Sequence, residues 1–188
     1  DLRPQSIHFA GHHILVTPDM QIFRTAQGAK FGIEICEDVW APTPPSNHLT
    51  LAGAEIIFNL SASDELIGKH AYLMSLLAQQ SARTISGYVY SGCGFGESTQ
   101  DVVYSGNALI YENGTLLDEG KRFTLSPQLV TAQIDIDRIR YDRCNNTTFA
   151  TAQFNEGYET EIIACCPLQN FKPFRLERLF SSSTFVLT

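Results

Sequence analysis

Positive charge is scarce in this chain: 13 lysines and arginines stand against 20 aspartates and glutamates in 188 residues, a formal charge of −7. A nucleic-acid partner needs clustered cations to displace the counterions of a phosphate backbone, and here they are scattered, which argues against that class. The densest basic run, Arg138-Ile-Arg140 with Arg143, alternates with Asp135, Asp137 and Asp142 and is expected to be a solvated, self-paired helical face. No apolar run approaches the ~18 residues of a membrane span, and no charged-then-apolar segment opens the chain. A membrane is therefore not an expected partner, and the default location is cytosolic. The five cysteines, Cys36, Cys93, Cys144, Cys165 and Cys166, form an odd set without Cys-x-x-Cys spacing, which suggests neither a disulfide framework nor a zinc site. His8, His12 and His13 cluster near the start, but Gly11 interrupts any helix that would align them and no carboxylate follows in register, so no metal site is expected. A Gly-x-x-x-x-Gly-Lys phosphate loop is also missing.

What is present is an α/β pattern. With 44% hydrophobic residues the chain can bury a core, since a domain of this size hides roughly 70% of its unfolded surface. His13 to Thr17 and Gln21 to Arg24 read as a hairpin around Pro18-Asp19, and Phe31 to Ile35 as the next strand. The Pro44-Pro45-Ser46 entry leads into a short helix over Asn47 to Leu51, and Glu55 to Leu60 is a short apolar strand. Lys69 to Thr84 has Leu73, Leu76, Leu77 and Ala78 at helical spacing. Strands are expected at Tyr88 to Tyr90, Asp101 to Tyr104, Ala108 to Tyr111 and Leu129 to Ile134, with a charged helix over Asp135 to Arg143. Glu112-Asn-Gly-Thr115 is a tight-turn signal, because Asn-Gly tolerates the positive φ angles of a type I′ turn. Beyond Asn145 the pattern weakens; the expected organisation is residues 1–150 as one unit and 151–188 as a divergent tail.

The most informative stretch is Phe31-Gly-Ile-Glu-Ile-Cys36-Glu-Asp-Val-Trp40, an alternating strand that runs into a cysteine flanked by acids and then a Pro-rich loop. With a period of two, Phe31, Ile33 and Ile35 point one way and Glu34 the other, so the apolar side is expected to be packed. A sharp corner after the strand exposes Cys36 and frees backbone N–H groups, notably that of Glu37, to face a developing oxyanion. The competing reading is a small buried hydrophobe, which is what most cysteines ending an apolar strand are.

Gly32-Ile-Glu-Ile-Cys36-Glu-Asp-Val-Trp40, Leu51-Ala-Gly-Ala54, Asn59-Leu-Ser-Ala-Ser63, Gln80-Ser-Ala-Arg83, Tyr88-Val-Tyr90, Gly94-Phe-Gly-Glu-Ser-Thr99, Gly106-Asn-Ala-Leu-Ile-Tyr-Glu-Asn-Gly114 and Arg122-Phe123 occur in that order. Together they resemble the glutaminase domain of glutamine-dependent NAD synthetases, a branch of the nitrilase superfamily. The resemblance implies a nitrilase-like α-β-β-α sandwich, two stacked sheets with outer helices, of which this chain carries a part. It also implies hydrolysis of glutamine by a Glu-Lys-Cys triad, with the ammonia passing to a separate synthetase domain that amidates an adenylated nicotinic acid dinucleotide. Cys36 matches the nucleophile, which would form a γ-glutamyl thioester, and the Glu37 backbone N–H matches an oxyanion donor.

The departures carry expectations of their own. The triad's glutamate and lysine precede the cysteine strand in the family, whereas here only Lys30 precedes Cys36 as a lysine, and Asp1, Asp19 and Glu34 are the only earlier carboxylates. None matches the family's positions, so the chain is expected to turn over little alone. An unassisted cysteine is only a few per cent thiolate near neutral pH. The synthetase domain's Ser-Gly-Gly-x-Asp-Ser loop is absent, so no cofactor is expected in this chain; ATP and magnesium would belong to the synthetase domain. Half of a two-sheet domain leaves an apolar face and a strand edge open, from which a homo-oligomer is expected.

By the same resemblance, Ser63 and Lys69 are candidates to hold the α-amino and α-carboxylate groups of glutamine. From residue types alone, Ser63 shaping a turn and Lys69 opening an exposed helix is the favoured reading, and the resemblance brings the substrate role level with it. Glu97 and Ser98, in the Gly-rich stretch Gly92 to Ser98, are candidates to line the pocket or the route by which ammonia leaves, although turn-making alone explains such glycines. His48 has no third group to orient it as a base. Two alternatives remain: another nitrilase-superfamily amidase, and a non-catalytic truncated module serving assembly or interaction.

Overall fold

The computed structural model describes residues 4–97, 101–156, 161–164 and 177–178. Its centre is a seven-stranded mixed sheet in the order β8-β7-β6-β5-β4-β3-β9. Three parallel neighbours form the middle: β4 (Lys30–Ile35), β5 (Ile56–Ser61) and β6 (Gly87–Gly92). β3 (Gln21–Arg24) runs antiparallel to β4 and pairs on its other side with β9 (Glu161–Ala164), while β7 (Ala108–Glu112) and β8 (Thr115–Glu119) complete the far edge. A separate hairpin, β1 (Gln5–Phe9) with β2 (His12–Val16), turns at Ala10-Gly11.

The parallel strands need crossovers, and these are the helices. α1 (Pro45–Leu51) starts at Pro45, where a missing N–H costs nothing. α2 (Lys69–Arg83) presents Leu73 and Leu77 to the sheet at i and i+4. Full burial of a leucine such as Leu77 contributes about 1.5–3 kcal/mol. Gly32 lets Leu49 of α1 approach β4 so closely that a Cβ there would stand 2.9 Å from a Leu49 methyl. With Ile22, Ile57, Tyr88, Leu109 and Tyr111 these side chains make the core. α3 (Ile136–Asn145) is capped by Asp135, whose carboxylate accepts the Arg138 N–H, and α4 (Thr147–Glu156) follows. Helix α4 crosses residue 150 and β9 pairs with β3, so the boundary expected at 150 falls inside an element and part of the tail joins the sheet.

Several expectations are corrected. The first hairpin is β1–β2, not a pair around Pro18-Asp19; β3 instead pairs with β4, because its buried Ile22 belongs to the main core. The segments expected as strands at 101–104 and 129–134 have no regular structure. The basic run of α3 is self-paired as expected in part, Arg138 facing Asp142 at 3.7 Å and Arg140 facing Asp137 at 3.5 Å, but it also reaches into the fold. Arg140 bonds Glu55 at 2.5 Å, and Arg143 donates to the carbonyls of Ile85, Ala54 and Thr84 at 2.8–3.1 Å. Burial holds the Arg143 guanidinium pKa down to about 10.

The largest correction concerns β4. Glu34 is only 1% exposed, whereas Ile33 and Ile35 are 42% and 55% exposed. The polar member of the alternation faces the helices, and the apolar members line the open side of the sheet. There Phe31, Ile33, Phe58, Leu60 and Val89 border a shallow depression of about 480 Å³, with Phe31 stacked on Phe23 and edge-on to Phe58. Alternation alone is symmetric; it cannot say which side the helices occupy.

The β7–β8 turn has Asn113 at φ 44° and Gly114 at φ 82°, as a type I′ turn requires. A Cβ on Gly114 would also meet Ala82 of α2 at 2.9 Å. Gly114→Ala is expected to cost about 1–3 kcal/mol in urea unfolding; a loss under 0.5 kcal/mol would contradict this packing.

Candidate active site

The C-terminal ends of β4, β5 and β6 bring the candidate residues together, as expected for ligand sites of parallel sheets. Cys36 follows β4 directly and opens a five-residue 3₁₀ turn, Cys36–Trp40. Its backbone is left-handed, φ 48°, a region that non-glycine residues enter only when their surroundings hold them there. The Asp38 carboxylate supplies that hold, accepting the Ile35 N–H at 2.7 Å and folding the turn back on the strand. The N–H of Glu37 lies in the first turn, where no intrahelical acceptor exists. A half-buried cysteine thus stands at a sharp strand-to-turn corner, with Glu37 next in the chain.

Beneath it lies a buried polar row that alternation concealed. Glu34 of β4 is in register with Asn59 of β5, and Asn59 with Tyr90 of β6; all three face the helices, at most 2% exposed. Glu34 accepts the Tyr88 hydroxyl, and the Ser46 N–H at 2.9 Å. Gln80 of α2 extends the network by donating to Ser46 Oγ and Asn47 Oδ1, each at 2.8 Å. Burial raises the Glu34 carboxyl pKa, against the hydrogen bonds that favour its charged form. Burial raises the Tyr90 phenol pKa too, against the Ser61 and Ser63 hydroxyls that favour its charged form, and the field of Cys36 adds to the rise.

Ser63 occupies the loop between β5 and α2, beside Asp64 and Glu65. The loop is tied to the sheet by Glu65, which faces Arg122 at 3.4 Å and Asn107 at 3.3 Å, and whose N–H donates to the Val103 carbonyl. Lys69 begins α2 with its ammonium 5.6 Å from the centre of the Trp40 ring, in the turn that Cys36 opens. Its Nζ donates to the Asp64 carboxylate at 2.9 Å and the Asp64 carbonyl at 2.8 Å, and this pairing lowers the Asp64 pKa. Lys69 therefore presents a paired charge. Glu97 is exposed in the Gly-rich loop; after burial, its charge is the second cause that raises the pKa of half-buried Cys93, and Cys36 the third. Ser98 lies outside the described residues.

Cys93 is no disulfide partner for Cys36. It follows Gly92, the register partner of Ser61, two strands from β4, about 10 Å away, where a disulfide needs Cα atoms within about 7 Å. Lys30 opens β4 and so lies a whole strand from Cys36, about 20 Å. Asp19 is bonded to Thr17. Among the described residues, no group of three histidine, cysteine or acidic side chains is placed to hold a metal, and no helix is long and apolar enough to cross a membrane.

Glu34, Asn59, Ser61 and Tyr90 are the buried polar positions next to the candidate site that sequence reasoning missed. The usable signal was a polar residue between apolar neighbours near each strand end, Ile-Glu-Ile and Phe-Asn-Leu, one position before the end of β4 and two before the end of β5.

The family profile described as carbon–nitrogen hydrolase matches residues 4–143. The chain is 41% identical over 117 residues to the glutamine-dependent NAD(+) synthetase of Mycobacterium bovis, covering 62% of this chain and 17% of that protein. It is 30% identical over 144 residues to the Homo sapiens protein of the same name, covering 74% and 19%. The chain thus spans about a fifth or less of these relatives. Among solved structures, a glutamine-dependent NAD(+) synthetase from Cytophaga hutchinsonii superposes with a TM-score of 0.52 at 25% identity, over 64% of this chain and 18% of that one. A carbon–nitrogen hydrolase from Helicobacter pylori shares the fold, with a TM-score of 0.58 at 17% identity over 69% and 47%.

Because the Glu34 pKa is raised in the folded state, that state holds its proton to higher pH than the unfolded chain. The Glu34 contribution to stability is greatest at low pH and is lost as pH rises above the ordinary value of 4.5. Glu34→Gln is expected to flatten this part of the stability profile, read by urea unfolding across the acid range; an unchanged slope would contradict the burial described.

Proposed function

The chain belongs to the carbon–nitrogen hydrolase family, and on that premise we propose that it is the nucleophile-bearing part of a glutaminase that supplies ammonia for NAD synthesis. The observation that carries this reading is Cys36, held in a left-handed conformation at the end of β4 with the Glu37 N–H beside it. Cys36 Sγ attacks the side-chain carbonyl carbon of glutamine. The Glu37 N–H faces the oxyanion, the proton lost by the thiol passes to the amide nitrogen, and the C–N bond breaks to release ammonia and leave a γ-glutamyl thioester. Water then cleaves the C–S bond, releasing glutamate and restoring the thiol. Ser63 and the Asp64–Lys69 pair hold the α-substituents, since an ammonium and a carboxylate can each be met there by an opposite charge. The synthetase domain of the parent protein, with its ATP and magnesium, consumes the ammonia.

Proton transfer and cationic support are the weak points. Of the ionisable side chains described before Cys36, Lys30 is a strand's length away, Asp19 is bonded to Thr17, and Glu34 is engaged beneath the sheet. A glutamate and a lysine in the positions that the resemblance implies would complete the triad. The open apolar side of β4 and β5 favours a role in assembly as a second reading, with the homo-oligomer as its expected form.

The purified chain is expected to release ammonia from glutamine slowly, and only with Cys36 intact. Release that persists in Cys36→Ala would overturn the nucleophile assignment, and turnover at rates of ordinary enzymes, above about 1 s⁻¹, would overturn the incomplete triad.

A further inference from the structure

The histidines near the start of the chain are aligned by a hairpin, not by a helix. β1 and β2 turn through Ala10 and Gly11, whose φ angles of 49° and 81° are those of a two-residue type I′ turn. In such a hairpin the pair that flanks the turn, Phe9 and His12, exchanges backbone hydrogen bonds, and the next pair, His8 and His13, does not. A pair of the second kind brings its Cα atoms to about 4.5 Å, the closest cross-strand approach in an antiparallel sheet. The two rings stand on one face with their centres 5.1 Å apart. His12 belongs to the opposite face, with Phe9. A tetrahedral zinc ion holds each imidazole nitrogen at about 2.0–2.1 Å, which sets the centres of two imidazole ligands about 5 Å apart. The His8–His13 pair meets that spacing, so ring rotation alone aims one nitrogen of each at a shared point.

We propose that His8 and His13 form a two-imidazole chelate for a divalent transition cation of the zinc and copper class, with water in the remaining positions, and that the cation staples β1 to β2. Magnesium and calcium, which take oxygen ligands, do not fit a pair of nitrogens. The staple has a task. Every residue of both strands is exposed, Ile7, Phe9, Ile14, Leu15 and Val16 among them, and a lone two-stranded hairpin without a buried face is marginally stable in water. A cation that bridges only the paired strands adds its binding free energy to the paired state. The chelate uses none of the residues around Cys36 and does not depend on the glutaminase reading.

The test titrates the intact chain with zinc chloride and follows the histidine ring protons by NMR, each assigned through its single variant, so that zinc taken up by thiols elsewhere does not enter the readout. The His8 and His13 signals are expected to move together with one dissociation constant, the His12 signals to stay in place, and magnesium chloride to move none of them. His8→Ala weakens zinc binding at His13 about 100-fold, because a chelate loses its second, intramolecular contact, and His12→Ala leaves it unchanged. At free zinc ten times the dissociation constant, amide exchange across the hairpin slows about 10-fold in the wild-type chain and not in His8→Ala. His12 signals that move with the others, or an affinity retained in His8→Ala, overturn the chelate and leave adventitious surface binding. Hairpin exchange that zinc does not slow overturns the staple. If His8→Ala unpairs the hairpin, His8→Thr keeps a strand-forming residue at that position and is read in the same way.

Discussion

The buried carboxylate of Glu34 is the constraint on which the rest of the structure depends. It stands near the end of β4, takes the Tyr88 hydroxyl from β6 and the Ser46 N–H from the first turn of α1, and so ties three elements at one point. A buried carboxylate without partners would cost several kcal/mol, so the strands and the helix must meet in register around it. The residue that ends this strand is Cys36. The left-handed backbone at that corner is a strained conformation, and strain of this kind persists only where the flanking structure is over-determined.

The site therefore has two layers of different stiffness. Below are side chains fixed on strands: Glu34, Asn59 and Tyr90. Above are the Cys36 turn, closed by Asp38, and the loop with Ser63 and Asp64, closed by Lys69 and Glu65. Each upper element is tied by a charged group, and the Cys36 turn is also seated by Val39 in the core with Trp40 packed against it.

The chain shows both the power and the limit of pattern reading. α2 and the Asn113-Gly114 turn were legible because their signals are local: helical spacing of Leu73 and Leu77, and a dipeptide that accepts two positive φ angles. Cys36 at a strand-end corner was legible for the same reason. The orientation of β4 was not, since Ile33 and Ile35 look like core residues, and only the position of α1 decides that Glu34 is inside. The segments at 101–104 and 129–134 have strand-like composition but no place left in a sheet whose edges are β8 and β9. Arg140 and Arg143 looked like surface charges because their partners, Glu55 and the carbonyls at Ala54, Thr84 and Ile85, are remote in sequence.

The polar row has a consequence for how the strands find one another. Parallel strands of apolar residues are nearly degenerate in pairing, because Ile, Phe, Leu and Val offer similar contacts at any offset. Glu34, Asn59 and Tyr90 break that degeneracy. A slip of β5 by one residue would turn Asn59 to the open side and set Glu34 against Phe58 or Leu60, and a slip by two would set it against Ile57 or Ser61. Only one alignment sets the Asn59 amide between the Glu34 carboxylate and the Tyr90 phenol, so the row that underlies the site also acts as a combination lock on the assembly of the sheet.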